Sequence, residues 1–144
     1  MELLRAAQAI SDRAVSEAIA IGQDVMVETV LSSAKFRPLV ERALLAGFEF
    51  GFVYVTVGSA ALNIARVSER VAEGGHDVPS ELVEARRVRS AEIMPWFAAR
   101  AGVGLVLDNT GASYLPLAEK RRGDPIWRTL RPASLSALGL RLHE

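Results

Sequence analysis

The stretch Phe50-Gly-Phe-Val-Tyr-Val-Thr-Val57 decides the fold class of this 144-residue chain. It is rich in β-branched and aromatic residues, which favour strands. Apolar residues stand at odd and even positions alike, so both faces of the strand are expected to be covered. Strands of this kind are typical of parallel sheets that carry helices above and below. We therefore predict a central parallel strand over residues 50–57 of an α/β domain.

Helical and strand patterns alternate on both sides of this stretch. Helical spacing of apolar residues predicts helices over 3–21, 34–46, 59–72 and 80–100, and β-rich runs predict strands over 24–29 and 103–107. Beyond residue 117 the pattern weakens to a polar loop over 120–124, a short strand over 126–130 and a frayed helix over 134–142. The alternation predicts a parallel sheet with flanking helices in a single domain over 1–144, with ligands bound at the carboxyl ends of the strands.

Composition excludes several classes of function. The chain has no cysteine, which excludes a disulfide framework, a thiol nucleophile and cysteine-ligated zinc. Its net charge is zero, which argues against nucleic acid or an anionic membrane as a partner. Its two histidines, His76 and His143, have no clustered ligands, so no metal site is expected. The apolar run 44–65 contains Glu49 and three glycines, so we expect no membrane span and a cytoplasmic location.

The most informative segment for function is Arg66 to Ser90, RVSERVAEGGHDVPSELVEARRVRS. Arginines stand four apart on the first predicted helix (Arg66, Arg70) and three apart on the second (Arg86, Arg89), so each pair shares a helix face. The paired glycines and the proline between the helices predict a hinged hairpin, a lid over about residues 64–100. Acidic residues are interleaved, so two readings stay open. The arginines converge on a ligand, or they pair with carboxylates on a solvated helix pair, which periodicity alone favours.

This segment resembles the lid of the zeta-toxin family of P-loop kinases. Two further matches follow the order of that family: Val27-Glu28-Thr29-Val30-Leu31-Ser32 resembles its ET[TV]LS motif, and Asp108-Asn109-Thr110 resembles its DN[ST] motif after a late strand. The resemblance covers roughly residues 10–111. It implies a P-loop kinase-like fold and a small-molecule kinase that moves the ATP γ-phosphoryl group to a hydroxyl, which in characterised zeta toxins belongs to a UDP-activated amino sugar.

The resemblance also implies roles for individual residues. Arg70, Arg86 and Arg89 would supply positive charge to the transferring group when the lid closes. Substrate-binding residues would be Glu28, Thr29, Ser32 and Arg66, and Asn109 would lie near the adenine. Glu28 serves equally well as an ion-pair partner for an arginine, and His76 is expected to stabilise its turn. ATP and Mg²⁺ are the implied cofactors, and an antitoxin is an implied protein partner.

One essential motif of the family is missing from these residues. No GxxxxGK[ST] occurs, and neither Lys35 nor Lys120 has the context of a P-loop lysine. The resemblance places the P-loop and the first two strands before Met1. We therefore expect a truncated kinase that is inactive alone, or one half of a split kinase that needs a strand-donating chain. The alternative is a non-catalytic module that binds a phosphate ligand or a protein.

The missing strand would lie between the predicted strands 24–29 and 50–57. Their unpaired backbone groups would then have to pair with each other, recruit a strand from another chain or leave the fold marginal, because each buried orphan amide costs about 1–3 kcal/mol. Exposed edges of this kind also invite aggregation.

Overall fold

A computed structural model describes residues 2–142, with side chains from Ala9 onward. The chain divides into two compact units. The first contains residues 1–29 and 35–48, and the second contains residues 30–34 and 49–144.

The first unit is built from two helices. Helix α1 spans Glu2–Ala20, and helix α2 spans Arg37–Leu45 after a short 3₁₀ turn at Ala34–Phe36. The Arg42 guanidinium donates to the hydroxyl of Ser16 at 3.0 Å, which joins α2 to α1. Gly47, at a φ of +86°, ends α2 in the left-handed conformation that glycine adopts without strain. The predicted helices over 3–21 and 34–46 are confirmed.

The predicted strand over residues 24–29 is wrong. The structure has no strand between α1 and α2, and the side chain of Met26 is 95% exposed. β-propensity expresses how well a side chain fits a pleated, half-buried surface. A segment of high β-propensity still needs a neighbouring strand to pair with its backbone groups. None of the described strands pairs with these residues, so the segment is irregular.

The second unit contains a four-stranded mixed sheet. Its strands are β1 (Gly51–Thr56), β2 (Val103–Asp108), β3 (Leu115–Lys120) and β4 (Arg128–Thr129), in the order β1-β2-β3-β4. Strands β1 and β2 are parallel and in register from Gly51 opposite Val103 to Thr56 opposite Asp108. The β2–β3 and β3–β4 pairs are antiparallel. The α/β class is confirmed, but the sheet is not wholly parallel, because the short connection from β2 to β3 permits only an antiparallel return.

The second unit also carries three helices, and the two longer ones link β1 to β2. They are α3 (Ala60–Ala72), α4 (Ser80–Arg100) and α5 (Pro132–Ala137). The α3 and α4 bounds agree with the predicted helices over 59–72 and 80–100. Ser59 caps α3 by accepting a hydrogen bond from the backbone amide of Leu62 at 3.2 Å. We call α3, α4 and their connecting turn the arginine hairpin.

Helix α4 covers one face of the sheet through aromatic packing. The ring of Phe97 stacks on Phe52 at 5.9 Å between centroids and also contacts Phe50 at 6.3 Å. Met94, one turn earlier, is fully buried. Trp127 joins this layer, because its indole nitrogen donates to the carbonyl of Ala98 at 2.8 Å. These contacts fix α4 across the parallel β1–β2 pair.

The opposite face of the sheet and the outer edge of β1 are uncovered in the second unit. Side chains of β1 alternate between buried and exposed, and Val53 is 62% exposed. Val55 and Leu105 are exposed on the same face. β1 is therefore an edge strand among the described strands, and the prediction of a central strand is wrong here. Within residues 2–142, no helix is both long enough and apolar enough to span a bilayer.

Gly104 gives a test of the packing between the sheet and α4. A Cβ at this position would lie 2.6 Å from the Trp127 ring and would also collide with the Phe52 carbonyl oxygen. We expect Gly104→Ala to lower the free energy of unfolding by about 1–3 kcal/mol, the usual cost of overpacking. Urea denaturation measures this loss.

Gly111→Ala is the matched control, because a Cβ there meets no atom within 4 Å. It should change the free energy of unfolding by no more than about 0.5 kcal/mol. Equal stabilities of the two variants would contradict the described packing.

Candidate functional site

The loops that follow β1 and β2 are joined at the carboxyl edge of the parallel pair. The backbone amide of Asn109 donates to the carbonyl of Thr56 at 2.8 Å, which extends the ladder past the last strand residues. The amide of Gly58 donates to the hydroxyl of Thr110 at 2.7 Å. A Cβ on Gly58 would lie 3.0 Å from that hydroxyl, so the approach favours glycine. The two loops thus form one edge, at the position where α/β sheets bind ligands.

The carboxylate of Asp108 is used within this edge. It accepts hydrogen bonds from the backbone amide of Thr110, at 2.9 Å, and from the Thr110 hydroxyl. Thr110 therefore links Asp108 to the loop of Gly58. The Asp108-Asn109-Thr110 segment, singled out in the sequence, acts in the structure as a latch between the β1 and β2 loops.

Arg66 fastens the arginine hairpin to this latch. Its guanidinium donates to the backbone carbonyl of Asn109 at 2.6 Å and to that of Thr110 at 3.4 Å. Because both acceptors are backbone carbonyls, the contact positions α3 beside the carboxyl edge. The structure thus gives Arg66 a positioning contact, while its predicted contact with a substrate stays a prediction.

Arg70 contacts the turn of the hairpin. Its guanidinium donates to the carbonyl of His76 at 3.4 Å, and its own carbonyl accepts the amide of Gly75 at 2.8 Å. A Cβ on Gly75 would approach that carbonyl oxygen to 2.7 Å, which explains a glycine there. His76 contributes its backbone to the turn, in line with the expectation that it stabilises the turn.

The arginines of the hairpin form no salt bridge in the part of the chain that the structure describes. Arg86 is half-buried on α4, and Arg89 is exposed one turn later. Carboxylates stand three positions from hairpin arginines, as in Arg66/Glu69, Arg70/Glu73 and Arg89/Glu92. None of these pairs comes within salt-bridge distance; the described salt bridges involve other residues. The reading as a salt-bridged helix pair is therefore wrong for the described residues.

Arg87, which the sequence pattern did not single out, lies on the sheet-facing stripe of α4. Buried residues on this stripe recur at spacings of three and four, at Val83, Ser90, Met94 and Phe97. Position 87 fits between Val83 and Ser90 in this repeat. The Nε atom of Arg87 is buried and has no hydrogen-bond partner. The sequence signal for Arg87 is an arginine inside an apolar helical stripe. A search for arginine pairs that share a helix face does not detect it.

Arg87 faces a buried hydroxyl pair. The Ser90 hydroxyl donates to the hydroxyl of Tyr54 at 3.2 Å, and both residues are buried. Burial raises the pKa of Tyr54 above its ordinary value, while the hydrogen bond from Ser90 and the charge of Arg87 lower it by less. The phenol is therefore protonated at neutral pH. We call Arg87, Tyr54 and Ser90 the donor cluster.

The remaining predicted site residues do not belong to the loops that form this edge. Glu28 and Thr29 are exposed in the irregular segment of the first unit. Ser32 is half-buried in the short segment 30–34 that belongs to the second unit. No strand end presents Glu28 and Thr29, because the strand predicted to carry them is absent. The edge described above is built from the second unit alone.

The described residues do not fit ATP and Mg²⁺ by themselves. Among them, no group of three or more histidine, aspartate or glutamate side chains could hold a metal ion. The carboxylate of Asp108 is taken by Thr110. No loop of the GxxxxGK[ST] type is present in the sequence. A nucleotide-binding cradle would have to be supplied by other residues.

Comparisons with protein-family models, with curated proteins and with solved structures gave no match. The resemblance to the zeta-toxin family therefore stays a prediction from the motifs.

The raised pKa of Tyr54 predicts a loss of stability at alkaline pH. A phenol with a higher pKa in the folded state stabilises the fold fully below the unfolded pKa of about 10. This contribution is lost as the pH rises from there through the folded pKa. We expect Tyr54→Phe to lose about 1 kcal/mol at neutral pH, where the Ser90 hydrogen bond is removed, and to fall less steeply above pH 10. Thermal unfolding as a function of pH measures both effects.

Tyr114→Phe is the control, because Tyr114 is 60% exposed. It should retain the full alkaline loss of the wild type. An equally steep loss in Tyr54→Phe would show that the phenol is not shifted by burial.

Proposed function

We propose that this chain is the lid-bearing part of a zeta-toxin-like small-molecule kinase with a P-loop kinase-like fold. On this proposal it binds a small molecule that carries phosphate, such as a nucleotide sugar, and another segment of polypeptide supplies the P-loop. The single observation that carries the proposal is the set of arginines on the hairpin that hold no carboxylate. The hairpin arginines precede the Asp108-Asn109-Thr110 latch along the chain, as in the motif order of the zeta-toxin family, and this supports the same proposal.

Electrostatics explains why unpaired arginines favour a ligand. Exposed ion pairs on helices stabilise by only about 0.3–0.5 kcal/mol, so the hairpin folds without them. A guanidinium that holds no carboxylate keeps its planar set of donors available for the oxygens of a phosphate. Arg86 and Arg89 are the strongest candidates for this role, because Arg66 and Arg70 already donate to backbone carbonyls.

The uncovered edge of β1 supports the proposal of a supplied strand. All six residues of β1 are uncharged, and neither a proline nor a lysine protects its outer edge. Val53, Val55 and Leu105 add an apolar face that the second unit leaves exposed. An uncharged strand that leads into a glycine-rich phosphate loop would pair with this edge and satisfy its backbone groups.

A non-catalytic phosphate-binding module is the second candidate. The observation that favours it is that the sequence contains no GxxxxGK[ST] loop. Both candidates bind the same class of ligand, and they differ in whether ATP is consumed once a P-loop segment is added.

Binding of UDP-N-acetylglucosamine, measured by isothermal titration calorimetry, tests the shared claim. We expect the double variant Arg86→Gln/Arg89→Gln to bind at least about tenfold more weakly than the wild type, because each charge-assisted hydrogen bond is worth about 1.5–3 kcal/mol. The double variant Arg13→Gln/Arg121→Gln removes the same net charge from arginines that pair with Glu17 and Glu119. It should bind like the wild type. Equal affinities of all three proteins, or no binding by any, would contradict the proposal.

Consumption of ATP then separates the two candidates. The chain is incubated with ATP, Mg²⁺ and the UDP sugar, alone and with a polypeptide that carries an apolar strand and a GxxxxGK[ST] loop. A split or truncated kinase turns over only in the mixture. Association without turnover favours the non-catalytic module, and turnover by the chain alone would contradict the argument from the missing P-loop.

A further inference from the structure

We infer that the donor cluster of Arg87, Tyr54 and Ser90 is an anchor for one phosphate group of the ligand. The inference rests on the proposed function for the identity of the ligand as a phosphate compound. The anchor itself follows from three side chains that the sheet and α4 bring together.

Arg87 lies on the side of α4 that faces the sheet. It is half-buried and falls on the stripe of α4 that carries the buried residues Val83, Ser90 and Met94, whereas Arg89 is exposed. Tyr54 lies on the face of β1 that α4 covers, because exposed and buried residues alternate along β1. Thr56, two residues farther toward the carboxyl end, is buried on the same face. The cluster therefore lies just beneath the edge formed by the β1 and β2 loops.

The donor cluster holds more hydrogen-bond donors than acceptors. The Ser90 hydroxyl gives its proton to the Tyr54 oxygen. This leaves the Arg87 Nε proton without an acceptor, and because one hydrogen bond joins the two hydroxyls, one hydroxyl proton of the pair also has none among the described residues. A tyrosine hydroxyl carries one proton, and a guanidinium is a donor only. The cluster thus presents donors to a group that only accepts, and an oxyanion is such a group.

The elements around the donor cluster carry charged side chains of both signs. Asp108 of β2 is the carboxylate in register with Thr56, and it accepts from Thr110. On α4, Glu84 stands three residues before Arg87 and is exposed. On α3, Arg66 adds a further positive charge at the same edge. No described carboxylate neutralises Arg87 within salt-bridge distance.

The buried Nε–H of Arg87 lacks a hydrogen bond, and a buried donor without an acceptor is costly. Phosphate matches this requirement, because guanidinium nitrogens bind two of its oxygens in a planar arrangement. The cluster is therefore assigned to a phosphate, in addition to the half-buried Arg86 and the exposed Arg89.

The test uses inorganic phosphate as its first probe and the intact chain. Thermal unfolding is measured in phosphate and in chloride at equal ionic strength. Phosphate should raise the Tm of the wild type, because a ligand that binds only the folded state stabilises it. Arg87→Met should have a Tm in chloride at least equal to that of the wild type and should lose the phosphate-dependent rise. Arg87→Lys should keep part of the rise. A rise that persists undiminished in Arg87→Met would overturn the anchor.

A spectroscopic measurement keeps the inference testable if Arg87→Met does not fold. In a Tyr114→Phe background, Tyr54 is the remaining tyrosine, and its ionisation is followed by ultraviolet absorbance. A phosphate bound beside the phenol disfavours phenolate, so phosphate should move the ionisation of Tyr54 to higher pH. An unchanged titration in phosphate and in chloride would overturn the anchor.

UDP-N-acetylglucosamine is the second probe, and it separates failure of the anchor from failure of the proposed function. Loss of the phosphate effect in Arg87→Met, together with unchanged UDP-sugar binding in Arg86→Gln/Arg89→Gln, keeps the anchor and rejects the nucleotide-sugar site. The reverse pattern keeps the proposed function and rejects the anchor. Binding of phosphate but not of the UDP sugar identifies the ligand as a free phosphate and supports the anchor.

Discussion

The arrangement of the site depends on the in-register parallel pairing of β1 and β2. This pairing places Thr56 opposite Asp108, so the two strands end together and their loops meet at one edge. Helix α4 holds the pair from one face through the stacking of Phe97 on Phe52. Because α4 runs across the same strands, its sheet-facing stripe delivers Arg87 and Ser90 to Tyr54. The latch of Asp108 and Thr110, the contact of Arg66 with that latch and the donor cluster all follow from this one register.

The second unit concentrates hydrogen-bond donors at this edge. Arg66 finds backbone carbonyls, but Arg87 retains a buried nitrogen with no acceptor, and Tyr54 retains its proton. Proteins satisfy nearly all their buried polar groups. Donors left without acceptors beside a sheet edge are the basis for the oxyanion that we propose as the ligand. β1 also leaves an apolar face uncovered, on which Val53 and Val55 are exposed.

The helices could be predicted from local sequence signals. The strands depend on pairing between distant segments, which a local pattern does not show. Ser59, the paired glycines 74–75 and Pro79 mark the ends of α3 and α4, and the structure confirms both helices. The strand over 24–29 failed because β-rich residues need a partner that the described residues do not supply. Strand β3 was missed because Pro116 and the charged residues Glu119 and Lys120 weaken its pattern. The latch segment and the hairpin stand out in the sequence, whereas Arg87 lies within an apolar stripe and does not.

The most direct test of an oxyanion site is nuclear magnetic resonance of the arginine Nε–H groups during titration with pyrophosphate. The account predicts that the Nε–H of Arg87 exchanges slowly with water before any ligand is added, since the atom is buried. It also predicts that this resonance shifts on titration, together with those of Arg86 and Arg89, while that of Arg13 stays in place. A stationary Arg87 resonance at saturating pyrophosphate, or equal shifts for Arg13 and Arg87, would contradict it.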